Sequence, residues 1–321
     1  MGKPTMKVTG IAPWFGGKRS MAEDIVQEMG PHRAFCDVFC GSMPIVLVKP
    51  RSPQEICNDL HGDLVNLAMV LASDKHEMLQ EKLLRTLCSD VLFQDVRQEW
   101  MESAFVPPAS RREVADVHVQ RAWCFFVVSW MGRNGVAGTA RANYQMAIRF
   151  TPGGGSGGRR FRSAVESVQA WHDRLREVTI LNRDAFDLVP RIDDADGVVV
   201  YADPPYIRST RGDGGGSAYQ YDFDDSRSGQ ETTNSLFAKH EDKHAILAEQ
   251  LRRFKRARVV VSYYEHPRLR ELYEGWTFRP MYRQKHLHVQ NRRGEGPCEA
   301  PEVLIINGPS YAKESACTSK S

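Results

Sequence analysis

The chain has 321 residues, of which 41% are hydrophobic and 26% are charged, so it is long enough to bury a substantial core. Its formal charge of +3 is only mildly basic, and net charge alone therefore does not indicate a nucleic-acid partner. Because the longest apolar run, residues 122–131, is too short to cross a bilayer and the amino terminus lacks an apolar targeting segment, we expect a soluble cytoplasmic protein.

The cysteines show no spacing that is typical of a metal site. The chain has seven of them, without a Cys-x-x-Cys pair or nearby histidines at ligand spacing. Neither a zinc site nor a disulfide framework is therefore expected. The positive charge is unevenly spread, since basic residues cluster at 159–162, 252–258 and 292–293, where they either meet phosphate or form a solvated face.

The first block of the chain, residues 10–59, combines a glycine turn, a helix and two strands. A Gly-Gly-Lys turn precedes a helix that we predict over residues 20–29. The run 34–39 is typical of a buried strand that ends at Gly41, and residues 55–58 predict a second strand that stops at Asp59.

The middle block, residues 62–171, has a different pattern. Apolar residues recur at three- and four-residue spacing over 64–71 and 78–87, which predicts amphipathic helices. Residues 153–158 are glycines around one serine, and this composition predicts a flexible loop.

Strands and helices alternate again in the last block. β-branched runs predict strands at 178–181, 197–201 and 257–262, and a helix at 245–254 precedes the last of them. Strands that are separated by helices predict an α/β fold with a mainly parallel sheet covered on both faces.

The strand at 197–201 leads into Asp203-Pro204-Pro205-Tyr206, at the strand end where open α/β sheets bind ligands. Two successive prolines fix φ and donate no hydrogen bonds, so the Asp203 carboxylate and the Pro204 carbonyl are presented as acceptors in a rigid turn. Such a pair suits an aromatic amine, because each acceptor takes one N–H and the nitrogen lone pair is left pointing outwards. Tyr206 adds a ring on which a purine can stack. The alternative is a plain turn that ends a strand.

Other segments beside strand ends carry small or polar residues. Residues 37–42, Asp-Val-Phe-Cys-Gly-Ser, form a strand that runs into a small-residue turn, as in nucleotide-binding folds. Asp59 follows the next strand at the usual place of an acid that binds ribose hydroxyls, with capping of the next helix as the alternative. Residues 14–18, Trp-Phe-Gly-Gly-Lys, form either a ligand-binding turn or a surface turn. Asp184 is either another acid at this edge or an ordinary loop residue.

Taken in order, these segments resemble the DNA adenine methylase (Dam) family of N6-adenine methyltransferases. Residues 14–18 are similar to the family's amino-terminal Trp-x-Gly-Gly-Lys element, residues 39–42 to its cofactor loop and residues 203–206 to its catalytic tetrad. Residues 242–247 and 259–264 are similar to the helix and strand that follow the tetrad. The likeness covers most of the chain outside residues 90–170.

The resemblance implies a Rossmann-like fold of an S-adenosylmethionine-dependent methyltransferase, with an inserted, mainly helical target-recognition domain. Residues 1–62 and 172–308 would then form the catalytic domain, residues 63–171 the insert and residues 309–321 a disordered tail. The implied reaction is transfer of a methyl group from S-adenosylmethionine to N6 of an adenine that is flipped out of double-stranded DNA. No metal is implied, because direct transfer depends on alignment of the reacting groups.

The resemblance also assigns individual residues. The implied catalytic residues are Asp203, Pro204, Pro205 and Tyr206. The residues implied at the cofactor are Trp14, Lys18, Asp37, Phe39, Gly41, Ser42, Asp59, Asp184 and Asp203, with Asp184 at the cofactor's adenine. One departure is Met43, which stands where the family often has a second glycine.

Recognition of DNA sequence is assigned to the insert, because residues 130–135 resemble the start of the family's recognition region. The residues of a type that contacts base edges or phosphates are Arg133, Asn134, Arg141, Asn143, Arg159 and Arg160. The alternative for each of them is an ordinary exposed polar residue. We also predict that the loop at 207–217 closes over the flipped base, with Tyr219 and Tyr221 near the mouth of the pocket.

Alternatives remain open at this point. The substrate is adenine in DNA or another planar amine, such as cytosine N4, adenine in RNA or protein glutamine, and Asp as the first residue of the tetrad favours adenine. The protein is an enzyme or an inactive DNA-binding regulator, and the competent residue types at every tetrad and cofactor position favour the enzyme. The resemblance implies a bacterial or phage-encoded enzyme. Two further alternatives stay open, namely whether it acts as a monomer, and whether it works alone or with a nuclease of a restriction-modification system.

Overall fold

The computed structural model describes residues 6, 8–14, 16–103, 105–132, 145–148, 156–207, 210, 223, 242–285 and 298–312. The strands within them are β1 (Ala34–Asp37), β2 (Gln54–Asn58), β3 (Thr179–Leu181), β4 (Val198–Ala202), β5 (Arg258–Tyr264), β6 (Thr277–Lys285) and β7 (Cys298–Ile306). They form one seven-stranded sheet in the order β3-β2-β1-β4-β5-β7-β6.

Strands β1 to β5 pair in parallel, whereas β6 and β7 form an antiparallel hairpin at one side of the sheet. The chain moves outward from β1 to β2 and β3, then returns to place β4 on the other side of β1. The strand order therefore reverses between β1 and β4, which is where open α/β sheets bind ligands. The predicted mainly parallel sheet is confirmed. The hairpin is not predicted, because Pro280 and Pro301 interrupt its strand pattern.

The α-helices of the described residues are α1 (Ala22–Met29), α2 (Pro44–Val48), α3 (Gly62–Ala72), α4 (His76–Leu84), α5 (Asp90–Glu102), α6 (Asp116–Met131), α7 (Gly157–Val165), α8 (Val168–Leu175), α9 (Ala185–Leu188), α10 (Lys243–Arg252) and α11 (Pro267–Leu272). The helices predicted from periodicity correspond to α1, α3, α4 and α10. No helix of the described residues is long and apolar enough to span a membrane.

Successive residues of the central strands point into two apolar clusters, one on each face of the sheet. On β4, Val199 and Tyr201 belong to the first cluster, and Val198 and Val200 belong to the second. The first cluster contains buried side chains from α1 to α8, and the second contains side chains of α9, α10 and α11. The helices of the middle block thus share a core with α1 and one face of the sheet.

The end of the glycine-rich segment is helical, which corrects the prediction of a flexible loop for residues 157 and 158, whereas residues 153–155 lie outside the described residues. Helix α7 begins at Gly157, inside that segment, and the Ser156 hydroxyl caps it by accepting a hydrogen bond from the Arg159 N–H at 3.2 Å. Burial of Phe161 and Val165 on one face, together with this cap, outweighs the low helix propensity of glycine.

Residues 309–312 pack on the fold, so the prediction of a disordered tail from residue 309 is wrong for them. The Ser310 hydroxyl donates to Glu28 Oε1 at 2.6 Å, and the Tyr311 N–H donates to Glu28 Oε2 at 2.9 Å. The Arg258 guanidinium binds the same carboxylate and lies 3.9 Å from the centre of the Tyr311 ring. A buried acid far away in the sequence therefore orders a segment whose composition is polar. Residues 313–321 lie outside the described residues.

Candidate functional site

The carboxyl ends of three neighbouring strands each present an aspartate. Asp37 is the last residue of β1, Asp59 follows β2, and Asp203 follows β4. Because β1 lies between β2 and β4 in the sheet, Asp37 stands between the other two carboxylates and feels the charge of both. The structure thus brings together, at the point where the strand order reverses, three residues that the sequence predicts at the site.

Asp203 faces hydrogen-bond donors. The Lys18 ammonium lies 3.0 Å from Asp203 Oδ1, and the Ser262 hydroxyl donates to the same oxygen at 2.7 Å. Burial raises the pKa of Asp203, whereas the Lys18 ammonium and the hydroxyls of Ser262 and Tyr206 lower it. The carboxylate therefore points toward the amino-terminal turn and the sheet edge. Ser262 is a residue of the site that the sequence analysis missed.

Lys18 links the amino-terminal turn to the tetrad. Only 3% of this residue is exposed, and its Nζ donates to the Gly16 carbonyl at 2.7 Å. The same atom lies 4.7 Å from the centre of the Tyr206 ring and 4.0 Å from Glu302 Oε2. Glu302 belongs to β7, so the sequence pattern, which does not predict that strand, gave no reason to single it out.

The Tyr206 ring lies in a buried aromatic cluster. Its centre is 4.5 Å from that of Tyr264, edge to face, and 5.8 Å from that of Tyr263. The Tyr263 hydroxyl forms a hydrogen bond of 3.0 Å with His244 Nδ1. These contacts hold the Tyr206 ring in one orientation beside Asp203.

The loop after β1 has an unusual backbone. Gly41 has φ +47° and Met43 has φ +62°, both in the left-handed region that favours glycine. A Cβ on Gly41 would lie 2.9 Å from Trp14 Nε1. Met43 takes up the left-handed conformation although it is not a glycine, and its buried side chain packs in the core. Although Met43 stands where the family often has a second glycine, its backbone keeps the left-handed conformation that a glycine would adopt.

Asp59 fastens this loop to β2. Its Oδ2 accepts a hydrogen bond from the Gly41 N–H at 2.9 Å, and its Oδ1 accepts one from the His61 N–H at 2.9 Å. Burial raises the pKa of Asp59, although these N–H groups oppose the shift. The cap of α3 is His61, whose ring accepts a hydrogen bond from the Leu64 N–H. The helix-capping alternative for Asp59 is therefore wrong.

Two buried side chains near this loop have polar atoms without partners. Within the part of the chain that the structure describes, the Ser42 hydroxyl has no hydrogen-bond partner, and the two oxygens of Asp37 have at most the Phe39 backbone N–H between them. Each residue is only 1% exposed. Burial raises the pKa of Asp37 well above its usual range, and the charge of Asp203 adds to the shift. Buried polar groups without partners are costly. The arrangement indicates a ligand that supplies hydrogen-bond donors or positive charge.

Asp184 follows β3 and Phe39 follows β1, so both lie at the edge of the sheet where Asp203 follows β4. Asp184 caps α9 by accepting a hydrogen bond from the Phe186 N–H at 2.9 Å, and burial raises its pKa. The rings of Phe39 and Phe186 both contact Phe223, at 6.0 and 5.4 Å between ring centres. Contact of Asp184 with a cofactor stays a prediction.

Asn58 is another residue that the sequence analysis missed. Its amide donates to the carbonyls of Val38, at 3.1 Å, and Arg183, at 3.0 Å. Its Oδ1 accepts a hydrogen bond from the Arg183 N–H at 3.0 Å. One side chain therefore holds the ends of β1, β2 and β3 together beneath the site.

The predicted DNA-contacting residues fall into two groups. Those outside the described residues are Arg133, Asn134, Arg141 and Asn143, together with Tyr219 and Tyr221 of the predicted pocket mouth. Arg159 is exposed on α7. The Arg160 guanidinium instead donates to the carbonyls of Trp130, at 2.9 Å, and Gly132, at 3.3 Å. Arg160 thus supports the end of α6, and Arg159 is the more accessible of the two.

Gly41 provides a test of the loop. If the loop binds the predicted cofactor, Gly41→Ala should weaken that binding about tenfold, because the left-handed backbone costs roughly 1–2 kcal/mol with a Cβ and the indole of Trp14 must move. Gly275→Ala is a matched control, since Gly275 has φ +82° and open space around it. Isothermal titration with S-adenosylhomocysteine, the demethylated form of the cofactor that the resemblance implies, would measure both variants. Equal affinities would contradict a role of this loop in binding.

Comparison with known protein families gives a match over most of the chain. A family model described as D12 class N6 adenine-specific DNA methyltransferase matches residues 14–284. The matched range includes Lys18, the loop after β1 and the tetrad that begins at Asp203. No curated protein gives a match. In the described part of the chain, no group of three or more His, Cys, Asp or Glu side chains is arranged to hold a metal ion.

Proposed function

The chain belongs to the D12 class N6 adenine-specific DNA methyltransferases, and on that basis we propose that it takes its methyl group from S-adenosylmethionine and that Asp203 holds the amino group of a flipped adenine. It methylates N6 of adenine in DNA, so the alternatives of another amine substrate and of an inactive regulator are not retained. The observation that carries the proposal is the Asp203 carboxylate, which faces Lys18 beside the loop after β1.

The surroundings of Asp203 support a role in holding an amine. Its Oδ1 lies within hydrogen-bond distance of an ammonium group, which is a donor of the same kind as the amino group of adenine. In the proposed complex Asp203 accepts one N–H of that amine and the Pro204 carbonyl accepts the other. The nitrogen lone pair then points away from the purine plane toward the methyl donor. Most of the rate would come from this alignment.

The loop after β1 fits S-adenosylmethionine, whose sulfonium supplies an electrophilic methyl group. Asp37 and Ser42 offer buried acceptors suited to the cofactor's ammonium and hydroxyl donors. Gly41 lets the backbone of the loop pass close to the Trp14 ring, because a Cβ at this position would meet that ring. Asp59 already accepts two backbone N–H groups and retains lone pairs that suit ribose hydroxyls.

We assign sequence reading to the helical middle block. The exposed guanidinium of Arg159, on a helix whose first residue, Gly157, lies beside Ala147, is suited to a backbone phosphate. Base-edge contacts are assigned to the residues of matching type in the segment 133–144. Phosphate contacts fix the position of the protein on the duplex, whereas base contacts determine the sequence.

Tyr206 is the proposed platform for the flipped base. We expect Tyr206→Ala to weaken binding of the target by about 1–3 kcal/mol, the range for loss of one base-stacking contact. Tyr206→Phe is the control, because it keeps the ring that packs on Tyr264 and removes only the hydroxyl. Dissociation constants for DNA in the presence of S-adenosylhomocysteine would measure the effect. An alanine variant that binds as tightly as the phenylalanine variant would exclude stacking.

The proposed function is tested by expressing the chain in a host that lacks DNA methylation and mapping modified bases by sequencing. We expect N6-methyladenine at one short sequence motif. Purified protein should then label unmethylated DNA from S-adenosylmethionine that carries a tritiated methyl group. Unmodified DNA, or methyl groups found on cytosine, would overturn the proposal.

A further inference from the structure

The contacts of Lys18 suggest that it does more than neutralise a buried acid. We propose that its ammonium occupies, in the free enzyme, the place that the target amino group takes during the reaction, and that Glu302 receives this ammonium when the base enters. The inference rests on the proposed role of Asp203 in holding the amine. It adds Glu302, on β7, as a positioning residue for base entry.

The first argument is that Lys18 and the base need the same space. The ammonium nitrogen lies 3.0 Å from Asp203 Oδ1 and 4.7 Å from the centre of the Tyr206 ring. An adenine that stacks on this ring while its amino group donates to this carboxylate would place a nitrogen in the same region. Both groups are hydrogen-bond donors with no acceptor to offer each other. The base can therefore bind there only after the ammonium has moved.

The second argument is that a receiving carboxylate is already within reach. Glu302 Oε2 lies 4.0 Å from Lys18 Nζ, at the outer limit of an ion pair, whereas Asp203 Oδ1 lies at 3.0 Å. Glu302 is opposite Tyr264 in the pairing of β5 with β7, and its side chain is 16% exposed. A rotation of the flexible lysine side chain would move its ammonium from Asp203 to Glu302 without moving the backbone.

The third argument concerns the charge that Asp203 must keep. The groups that interact with this carboxylate are Lys18, Ser262, Tyr206, Asp37, Tyr201 and Tyr264. Burial favours its neutral form, and a neutral acid is a poorer acceptor for an amine. If Glu302 binds the Lys18 ammonium, the ammonium remains close enough to keep Asp203 ionised. If the ammonium moves into solvent instead, it no longer does so. A second acid beside the lysine therefore supports the reaction after the lysine has moved.

The test is a double-mutant cycle on binding of a duplex that carries the mapped site, with S-adenosylhomocysteine present so that no transfer occurs. We expect Glu302→Gln to weaken binding about tenfold in the wild-type background, on the scale of coupling between residues in contact. In the Lys18→Met background the same change should alter binding by less than about twofold, because no ammonium has to be received. Glu271→Gln, at an exposed position of α11, is the control and should bind like the wild type.

The outcomes separate this inference from the proposed function. An equal loss in both backgrounds would show that Glu302 acts independently of Lys18, and no loss in either would show that it has no part in base entry. Either result overturns the inference. The proposed function is tested separately by the Asp203→Asn variant, and it stands if that variant is inactive. Melting temperatures identify variants that do not fold. If the glutamine variant is unstable, Glu302→Asp gives the same comparison, because its shorter side chain moves the carboxylate away from Lys18.

Discussion

Replacing Asp203 with asparagine is expected to lower the rate of methyl transfer by about 10²- to 10³-fold, the scale for removing one preorganised hydrogen-bonding group from an active site. The carbonyl oxygen of the new amide would turn toward Lys18 and Ser262, because both are donors to Oδ1. The amino group of the base, which takes the place of the Lys18 ammonium at this oxygen, would then donate to a neutral carbonyl instead of a carboxylate, and this weaker acceptor would hold it less firmly. Single-turnover transfer of tritiated methyl groups to unmethylated DNA measures the rate.

The fold should survive this change, because Lys18 retains the Gly16 carbonyl and the nearby Glu302. The matched control is Asp196→Asn, since Asp196 precedes β4 at the end of that strand opposite to Asp203 and forms an exposed pair with Arg256. The control should transfer methyl groups at the wild-type rate. A folded Asp203→Asn variant that also did so would refute the assignment of Asp203.

Replacing Glu55 with glutamine should destabilise the fold by about 3–5 kcal/mol, the cost of leaving buried charges without their partner. Glu55 lies near the start of β2, remote from the carboxyl-end site. The Arg174 guanidinium binds it through two hydrogen bonds of 2.5 and 2.8 Å, and the Lys49 ammonium binds the same carboxylate. All three residues are buried, so the variant would leave two cations facing a neutral amide. Urea unfolding measures the loss.

The destabilisation should depend on pH. Although burial raises the pKa of Glu55, the hydrogen bonds from Arg174 and Lys49 lower it to about 2. Because this folded-state pKa lies below the unfolded value of about 4.3, the stabilisation is complete above the unfolded value and disappears as the pH falls toward 2. The difference in unfolding free energy between the wild type and Glu55→Gln should therefore be larger at pH 6 than at pH 3.

Glu177 supplies the comparison for this effect. It pairs with Arg51 at the surface, where their side chains are 67% and 46% exposed. Solvent screens such a pair, so Glu177→Gln should cost no more than about 1 kcal/mol. Equal losses for Glu55→Gln and Glu177→Gln would contradict the view that the buried triad stabilises the sheet.

The parallel part of the sheet could be predicted because its strands are continuous apolar runs. All five residues of β4 are buried, as expected for a strand covered on both faces. Helix α6 could not be predicted from periodicity, because residues 122–131 are all buried and present no polar face. The hairpin of β6 and β7 pairs strands across a long connection, and its prolines weaken the local signal.

The site was predictable where one short motif supplies the chemistry. Asp203 and Asp59 follow from motifs at strand ends and Lys18 from the turn at residues 14–18, and the structure places their carboxylates and ammonium at one edge. The contacts of Asp203 with Ser262, and of Lys18 with Glu302, depend on how β4, β5 and β7 align side by side. Register between strands that are distant in sequence has no local signature, so these two residues emerged only from the fold.

The most direct measurement of the central claim is a crystal structure of the protein with S-adenosylhomocysteine and a duplex that carries the mapped site. It should show the adenine outside the helix, its amino nitrogen about 2.9 Å from the Asp203 carboxylate and from the Pro204 carbonyl. The Tyr206 ring should lie against the base, with the Lys18 ammonium moved toward Glu302. An adenine bound elsewhere, with Lys18 still paired to Asp203, would contradict the account.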